Sequence, residues 1–391
     1  MQDILKVESS IAKKTVHQNL SEVDFQLMVS TQSLVGGSII DPCFIEVVLE
    51  KWNSHPKLFQ EGRDWVHKLW AQVDQSRRGY PLGLVPYASC SLEEELVEML
   101  SSLGISSPLN SHEPTICISH DIDHLRPTKL VWAKQLISQR RFLFRFDSTD
   151  YLGAIEELLN FDAHVAGLST MTCFISNPIR SGGWSSRLMQ SVIDPTYNIE
   201  DARMIPLLRL LTRSGSAIGV HGSFFSLAHD TFSWEKAGLE AQLKSRISLC
   251  RQHWLNLPRG RKDLSRIKAA GIQVDSTLGW NGKAGCRGGF YRPYPVVVGP
   301  SEFIWEMPLL LMDRTLHDGM RFSVDQVVDE SCRILEEVFK KRGTVSINWH
   351  EAALHSDFGW GESYRQVLKW AKERGFAFKS IEAVQKDRGL H

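Results

Sequence analysis

Three groups able to bind a metal or move a proton stand within four positions at the end of an apolar run, in "TICISHDIDHLRP" (115–127): Asp121, Asp123 and His124. Alternate residues of an extended chain point the same way, so Asp121 and Asp123 can face one centre. Two carboxylates that close repel, and both stay ionised only if a cation neutralises them. One is then suited to hold a metal, and the other to take a proton from water that the metal has acidified. The same placement recurs along the chain. His221 follows "SAIGV", Asp275 follows "GIQV" and His350 follows "TVSINW". Bland explanations exist for each: a helix N-cap or solvated turn for the aspartate pair, a hydrogen-bonded structural role for a lone histidine, a turn for Asp275. What favours chemistry is that all of them end apolar runs. In a parallel α/β fold such ends gather on one rim, where active sites form. A mixed oxygen and nitrogen donor set suits zinc or another divalent transition metal.

A second cluster lies in "CRQHWLNLP" (250–258). Arg251 suits pairing with a carboxylate near the metal, His253 ligation, and Trp254 the floor of a sugar site. The alternative is a helix end with a snorkelling arginine and a core tryptophan. "RGGFYRPY" (287–294) offers Arg287 and Tyr294 to a substrate, or is a glycine-rich turn. Aromatic platforms suit carbohydrate faces, although most of the 12 Trp belong in a core.

These residues need a scaffold, and the sequence supplies one from 115 onward. Short apolar runs at 115–119, 168–176, 216–220, 271–274, 303–307 and 344–349 alternate with helix-like segments at 150–160, 200–213, 235–249, 262–270, 324–342 and 361–374. That alternation predicts a parallel sheet covered by helices, and the span suits a (β/α) barrel. Residues 1–110 differ. Helical spacing in "FIEVVLEKW" (44–52), "GRDWVHKLWAQV" (62–73) and "LEEELVEMLSSLG" (92–104) predicts a mostly helical N-terminal domain of unassigned role, joined by the linker "ISSPLNSHEP" (105–114) to a catalytic domain over 111–391. "GKAGCRGGF" (282–290) lacks the ending of a phosphate loop.

Composition narrows the function. Lys plus Arg equals Asp plus Glu, 45 each, which gives no electrostatic case for nucleic acid. The local basic stretches "SQRRFLFRF" (138–146) and "PRGRKD" (258–263) suit a solvated face or an anionic-substrate cleft. The seven Cys are scattered and odd in number, with neither a disulfide framework nor a CxxC zinc pattern. The start "MQDILKVESSIAKK" has acids where a secretory leader needs bases, and no apolar run approaches a membrane span. The expected location is the cytoplasm, with peripheral visits to the inner membrane if the substrate is membrane-linked.

Taken together, these motifs resemble the NodB-homology polysaccharide deacetylases, metal-dependent carbohydrate esterases, over roughly 115–380. "SHDID" is similar to the family's first motif, which implies Asp121 as base and Asp123 as metal ligand. "HGSFF" is similar to the HxxxH motif and implies His221 as ligand, but Phe225 stands where the second histidine is usual. His253, in a place where the family usually has Pro, is the leading substitute, and His229 a weaker one. Arg251 and Trp254 match an arginine and aromatic at spacing three, the arginine orienting the base. Asp275 matches the fourth motif, and His350 in "SINWHE" the final one, as general acid. The resemblance implies a deformed (β/α) barrel, a divalent metal (zinc, with cobalt or nickel as alternatives) and hydrolysis of an N-acetyl or other acyl group from an amino sugar. The expected partner is an acetylated glycan or its nucleotide- or lipid-linked precursor in surface-polysaccharide synthesis. The alternatives are hydrolysis of another amide, such as a cyclic ureide or formamide, and a non-catalytic carbohydrate-binding or assembly protein on a degraded deacetylase fold.

Overall fold

The structure, a computed structural model, describes residues 20–35, 42–74, 91–105, 112–125, 151–167, 171–195, 197, 199–202, 204–351, 353–354 and 359–390. The stretch 138–146 and most of the 105–114 linker lie outside these residues.

Among the described residues ten strands form one sheet: β1 (Thr115–Ile122), β2 (Met171–Ile175), β3 (Ala217–Gly222), β4 (Leu249–Gln252), β5 (Val274–Asp275), β6 (Tyr294–Gly299), β7 (Glu302–Glu306), β8 (Leu309–Met312), β9 (Thr344–Asn348) and β10 (Ala377–Phe378). Their order is β6-β7-β5-β4-β3-β2-β1-β9-β8, with β10 beside β1. Every pairing is parallel except β6 with β7. The sheet is a curled half-barrel wrapped in helices, as the alternation of the sequence predicts. Strand β1 is buried at all its positions, as parallel strands covered on both faces must be. Strand β6 is an edge, which is why it tolerates Pro295.

The helices are α1 (Glu22–Val35), α2 (Pro42–Asn53), α3 (Pro56–Asp74), α4 (Ser91–Ser102), α5 (Leu152–Ala166), α6 (Trp184–Ile193), α7 (Met204–Ser214), α8 (Phe232–Leu243), α9 (Arg261–Ala269), α10 (Val324–Lys340), α11 (Gly361–Arg374) and α12 (Ile381–Arg388). Alternate residues divide the sheet into two faces. On the inner face, Cys117, Phe174, Leu249, Val274 and Trp305 pack with Ile381 and Val384 of α12, an apolar floor closed from below. Further along the same strands the inner positions turn polar, with Ser119, Asp121, Arg251, Ser346 and Asn348 all buried. Burial thus becomes polar where the strands end.

The expected N-terminal helices are present and share a core with the sheet. Gln26 of α1 donates to the Pro295 carbonyl (2.8 Å) and accepts from the Val297 N–H (2.7 Å). Trp65 packs edge-on against Phe290 at 6.1 Å. Glu93 of α4 pairs with Arg292 at 2.8 Å with both side chains buried, and also accepts the Tyr291 N–H. In the basic stretch 258–263, Arg259 pairs with Asp263, Arg261 lies over the Trp70 ring, and Lys262 is exposed. Removing one partner of a buried pair leaves the other charge uncompensated. Glu93→Ala is therefore expected to lower unfolding stability by about 3–5 kcal/mol, read as a lower denaturant midpoint at unchanged slope. An unchanged midpoint would refute it.

Among the described residues Cys117, Cys173, Cys250 and Cys332 are free, whereas Cys286 is disulfide-bonded. A disulfide is rare in a reducing cytosol, so cysteine usage lends no support to the cytoplasmic expectation.

Candidate metal centre and its acid–base groups

The polar inner positions converge at the strand ends. In "HDID" the pleat separates neighbours: His120 turns outward to Asp162 (2.6 Å) and Asp121 inward to Arg251. Asp121 Oδ1 accepts from Arg251 (2.8 Å) and Oδ2 from the Asn348 amide (2.9 Å). Arg251 is wholly enclosed. It also donates to Ser119 Oγ, Ser346 Oγ and both oxygens of Ser276, with its guanidinium 4.3 Å above the Phe174 ring. Gly219 makes room for that ring, since a Cβ there would lie 2.5 Å from it. Burial alone raises a carboxyl pKa, but Arg251, His221 and His350 more than offset it and hold Asp121 below the ordinary range.

Asp123 sits among three imidazoles. His221 Nε2 is 3.3 Å from Oδ1, and His253 Nε2 and His350 Nε2 are each 3.6 Å from Oδ2. Each ring is fixed from behind. His221 Nδ1 faces the Arg251 carbonyl (3.0 Å), His253 Nδ1 faces Asp194 (3.3 Å), and His350 Nδ1 faces Asp313 (2.6 Å). These partners only accept, so each Nδ1 carries a hydrogen and, in the neutral ring, each Nε2 turns a lone pair inward. Burial lowers the pKa of His253 and His350, but the neighbouring carboxylates overcome it and raise both to about 9: Asp123 and Asp194 for His253, Asp313 then Asp123 and Asp121 for His350. A field that favours imidazolium protons favours a cation in their place.

The residues fit a divalent metal. Asp123, His221 and His253 offer ligand atoms all within 4.8 Å of one another. Among the described residues, Asp123 Oδ1 and His221 Nε2 are buried without a hydrogen-bond partner. Metal bonds of about 2.0–2.1 Å in tetrahedral array put ligand atoms about 3.3 Å apart, close to the separations found. One carboxylate with two imidazoles is a donor set for zinc, cobalt or nickel rather than magnesium.

His253 reaches this position through an unusual turn. Trp254 and Leu255, just after β4, adopt left-handed backbone angles, φ 59° and 52°. Non-glycine residues held so carry strain that surrounding packing must stabilise, a pattern common at functional sites. The turn leaves Trp254 45 % exposed beside the His253 ring. Phe225 stacks instead on His229, whose Nδ1 meets Ser181 Oγ at 2.9 Å, and neither residue joins the metal group.

Three expected site residues are not brought to this cluster. Cys250 and Arg251 are successive residues of β4 and point to opposite faces. Arg251 meets Asp121, whereas Cys250 Sγ meets Asp275 Oδ1 at 3.0 Å. Asp275 therefore lies on the helix-facing side, where it also accepts from the Thr277 hydroxyl (2.6 Å). Its expected catalytic role does not fit that place. Nor do the expected substrate contacts of Arg287 and Tyr294: Arg287 is buried and donates to the Val73 carbonyl, and Tyr294 stacks on Phe290 at 4.4 Å. Conversely, Asp313, Asp194, Asn348 and Glu351 belong to the cluster and were not singled out from sequence. Glu351 accepts the N–H groups of Asp123 and His124 and fixes the chain that carries the ligand.

No protein-family model and no curated protein matches the chain. Solved structures do. One from Mycobacterium smegmatis, assigned as a polysaccharide deacetylase, is 13% identical with a TM-score of 0.48, covering 72% of this chain and 92% of its own. One from Pseudomonas aeruginosa with the same assignment is 10% identical with a TM-score of 0.47, covering 71% and 96%. An allantoinase is 11% identical with a TM-score of 0.48, covering 78% and 96%. The chain is thus similar to polysaccharide deacetylases at low sequence identity.

Proposed function

We propose that this chain is a metal-dependent hydrolase that removes an N-acetyl or other acyl group from an amino sugar. The observation that carries the reading is one constellation: an ionised Asp121 locked by Arg251 and Asn348, beside the Asp123–His221–His253 group, with His350 backed by Asp313 facing both aspartates. Asp123, His221 and His253 would hold a divalent ion, which would supply Lewis acidity towards water and the acyl carbonyl. Asp121 takes the proton of the attacking water. Arg251 keeps it charged and aimed, because five of its hydrogen bonds leave the guanidinium one orientation. His350 gives a proton to the departing amine, which leaves poorly without one. Its Nδ1–H bond to Asp313 directs Nε2 towards the cluster. The exposed Trp254 face beside His253 suits stacking on a sugar ring.

Phe225 in place of the usual histidine favours a second reading, a glycan-binding protein on a degraded site. His253 within the metal group speaks against it, since it offers a third donor from the turn after β4. Elemental mass spectrometry of protein purified without chelator, joined to acetate release from N-acetylated amino sugars, separates the two. Stoichiometric zinc, cobalt or nickel with chelator-sensitive turnover is expected. No transition metal after incubation with excess zinc would sink the hydrolase.

A further inference from the structure

Helix α6 has its faces reversed. Its one fully buried side chain is Gln190 (2 % exposed), which bonds to both backbone groups of Ser181 and to Ser186 Oγ. Trp184, Leu188 and Val192, one turn apart along the helix, face outward with Met189 beside them, and Trp184 is 80 % exposed. Water disfavours that arrangement, because the outward side chains are those most strongly driven to burial. The exposure is also local. Among the described residues, every large exposed apolar side chain except Val47 falls between Ile179 and Trp254. Ile179 and Trp234 extend the patch, since the Ile179 N–H and the Asn177 amide both bond to Glu235, the residue after Trp234.

The charge around the patch selects its partner. From Met171 to Ile193 the only charged residues are Arg180 and Arg187. Over 177–214 five arginines (180, 187, 203, 209, 213) face three acids (194, 200, 201), and Asp194 is buried in the metal site. No helix among the described residues is long and apolar enough to cross a membrane. A short helix with a tryptophan-led apolar face, arginines and no acids matches a segment that lies in the headgroup–acyl boundary of an anionic bilayer.

We propose that α6 docks this chain on an anionic phospholipid surface, with Trp184, Leu188, Met189 and Val192 inserted and Arg180 and Arg187 on lipid phosphates. The docking helix leads into the site. Asp194, its next residue, orients His253, and Ser181 before it holds His229. Docking therefore sets the metal centre at the membrane, and the substrate class becomes an acylated amino sugar carried on a lipid. That last step rests on the hydrolase reading; the docking does not.

The test is co-flotation of the full chain with vesicles of phosphatidylcholine plus phosphatidylglycerol, against phosphatidylcholine alone. The wild-type chain is expected to float with the anionic vesicles. Leu188→Asp is expected to bind about tenfold more weakly and Arg187→Glu about fivefold. Both should turn over a soluble N-acetylated amino sugar at the wild-type rate. Trp184→Ser and Leu188→Ser repeat the loss without a new charge, and wild-type flotation by both would overturn apolar docking. A wild-type chain that stays in solution, or a dimer that Leu188→Asp dissociates, would overturn it too, the latter by showing that a second copy covers the face. Flotation without turnover of any acetylated sugar would retire the hydrolase and leave the docking standing.

Discussion

Asp121→Asn is expected to lower kcat on an acetylated amino sugar by about a hundredfold to ten-thousandfold, the usual contribution of a general base, with metal content unchanged. Two features make the substitution readable. Asn keeps the shape and the oxygen that accepts from Arg251, so the buried guanidinium stays partly satisfied, while its amide nitrogen gives up the bond that Oδ2 accepts from Asn348. Asp121 is also not one of the residues whose ligand atoms cluster within 4.8 Å, so the metal group remains complete. The effect should fall on kcat rather than KM, because the lost group acts on the water and not on the sugar. Arg251→Met probes the same step from behind. It leaves Asp121 buried without its cation, and the carboxyl pKa must rise. The variant should regain part of its rate as pH increases, whereas the Asp121→Asn rate should stay low at every pH. Full activity in Asp121→Asn would remove Asp121 as base and shift the proton acceptor to another group.

How far the site was legible depended on local pattern. Asp121, Asp123, His221 and His350 each close an apolar run, and strand ends in a parallel sheet converge, so sequence order alone brought them together. The same rule misplaced Asp275. It follows "GIQV", but a strand of two residues, Val274–Asp275, leaves the pleat to decide its side, and it falls on the helix-facing one. Asp313 was missed although it carries the same signature, directly after the run Leu309–Met312. Reading that run as a strand would have found the partner of His350. Asp194 left no such trace. It ends a helix, and only the tertiary course of the chain brings it 3.3 Å from His253. The outward face of helix α6 left no trace either: a helix whose apolar stripe meets solvent has, in sequence, the same pattern as one that packs. Strand β4 was hidden because "LCRQ" is short and half polar, Arg251 being the one of its polar residues that turns to the barrel interior.

The second large effect concerns His253, the third donor of the proposed metal site, since Phe225 offers no ligand atom. His253→Ala is expected to abolish stoichiometric metal binding at micromolar zinc, and activity with it. His350→Ala should retain the metal and lose turnover. This contrast matters because both rings stand 3.6 Å from Asp123 Oδ2 and both are backed by a carboxylate, so distance alone does not tell ligand from acid. Their neighbourhoods do. His253 and His221 lie ring to ring at 5.1 Å and share Asp123 between them. His350 stands as near Asp121 as His221 does, 4.0 and 3.9 Å, but it is not among the residues whose ligand atoms all lie within 4.8 Å of one another. Asp194→Asn should weaken metal binding by about 10–100-fold, the usual effect of losing the carboxylate that fixes a ligand's tautomer. Phe225→His adds a measurement from the other direction. If His253 has taken over the third position, a histidine at 225 restores metal binding in the His253→Ala chain and adds little to the wild type. Metal retained by His253→Ala and lost by His350→Ala would exchange the two roles, and with them the direction from which the leaving amine receives its proton.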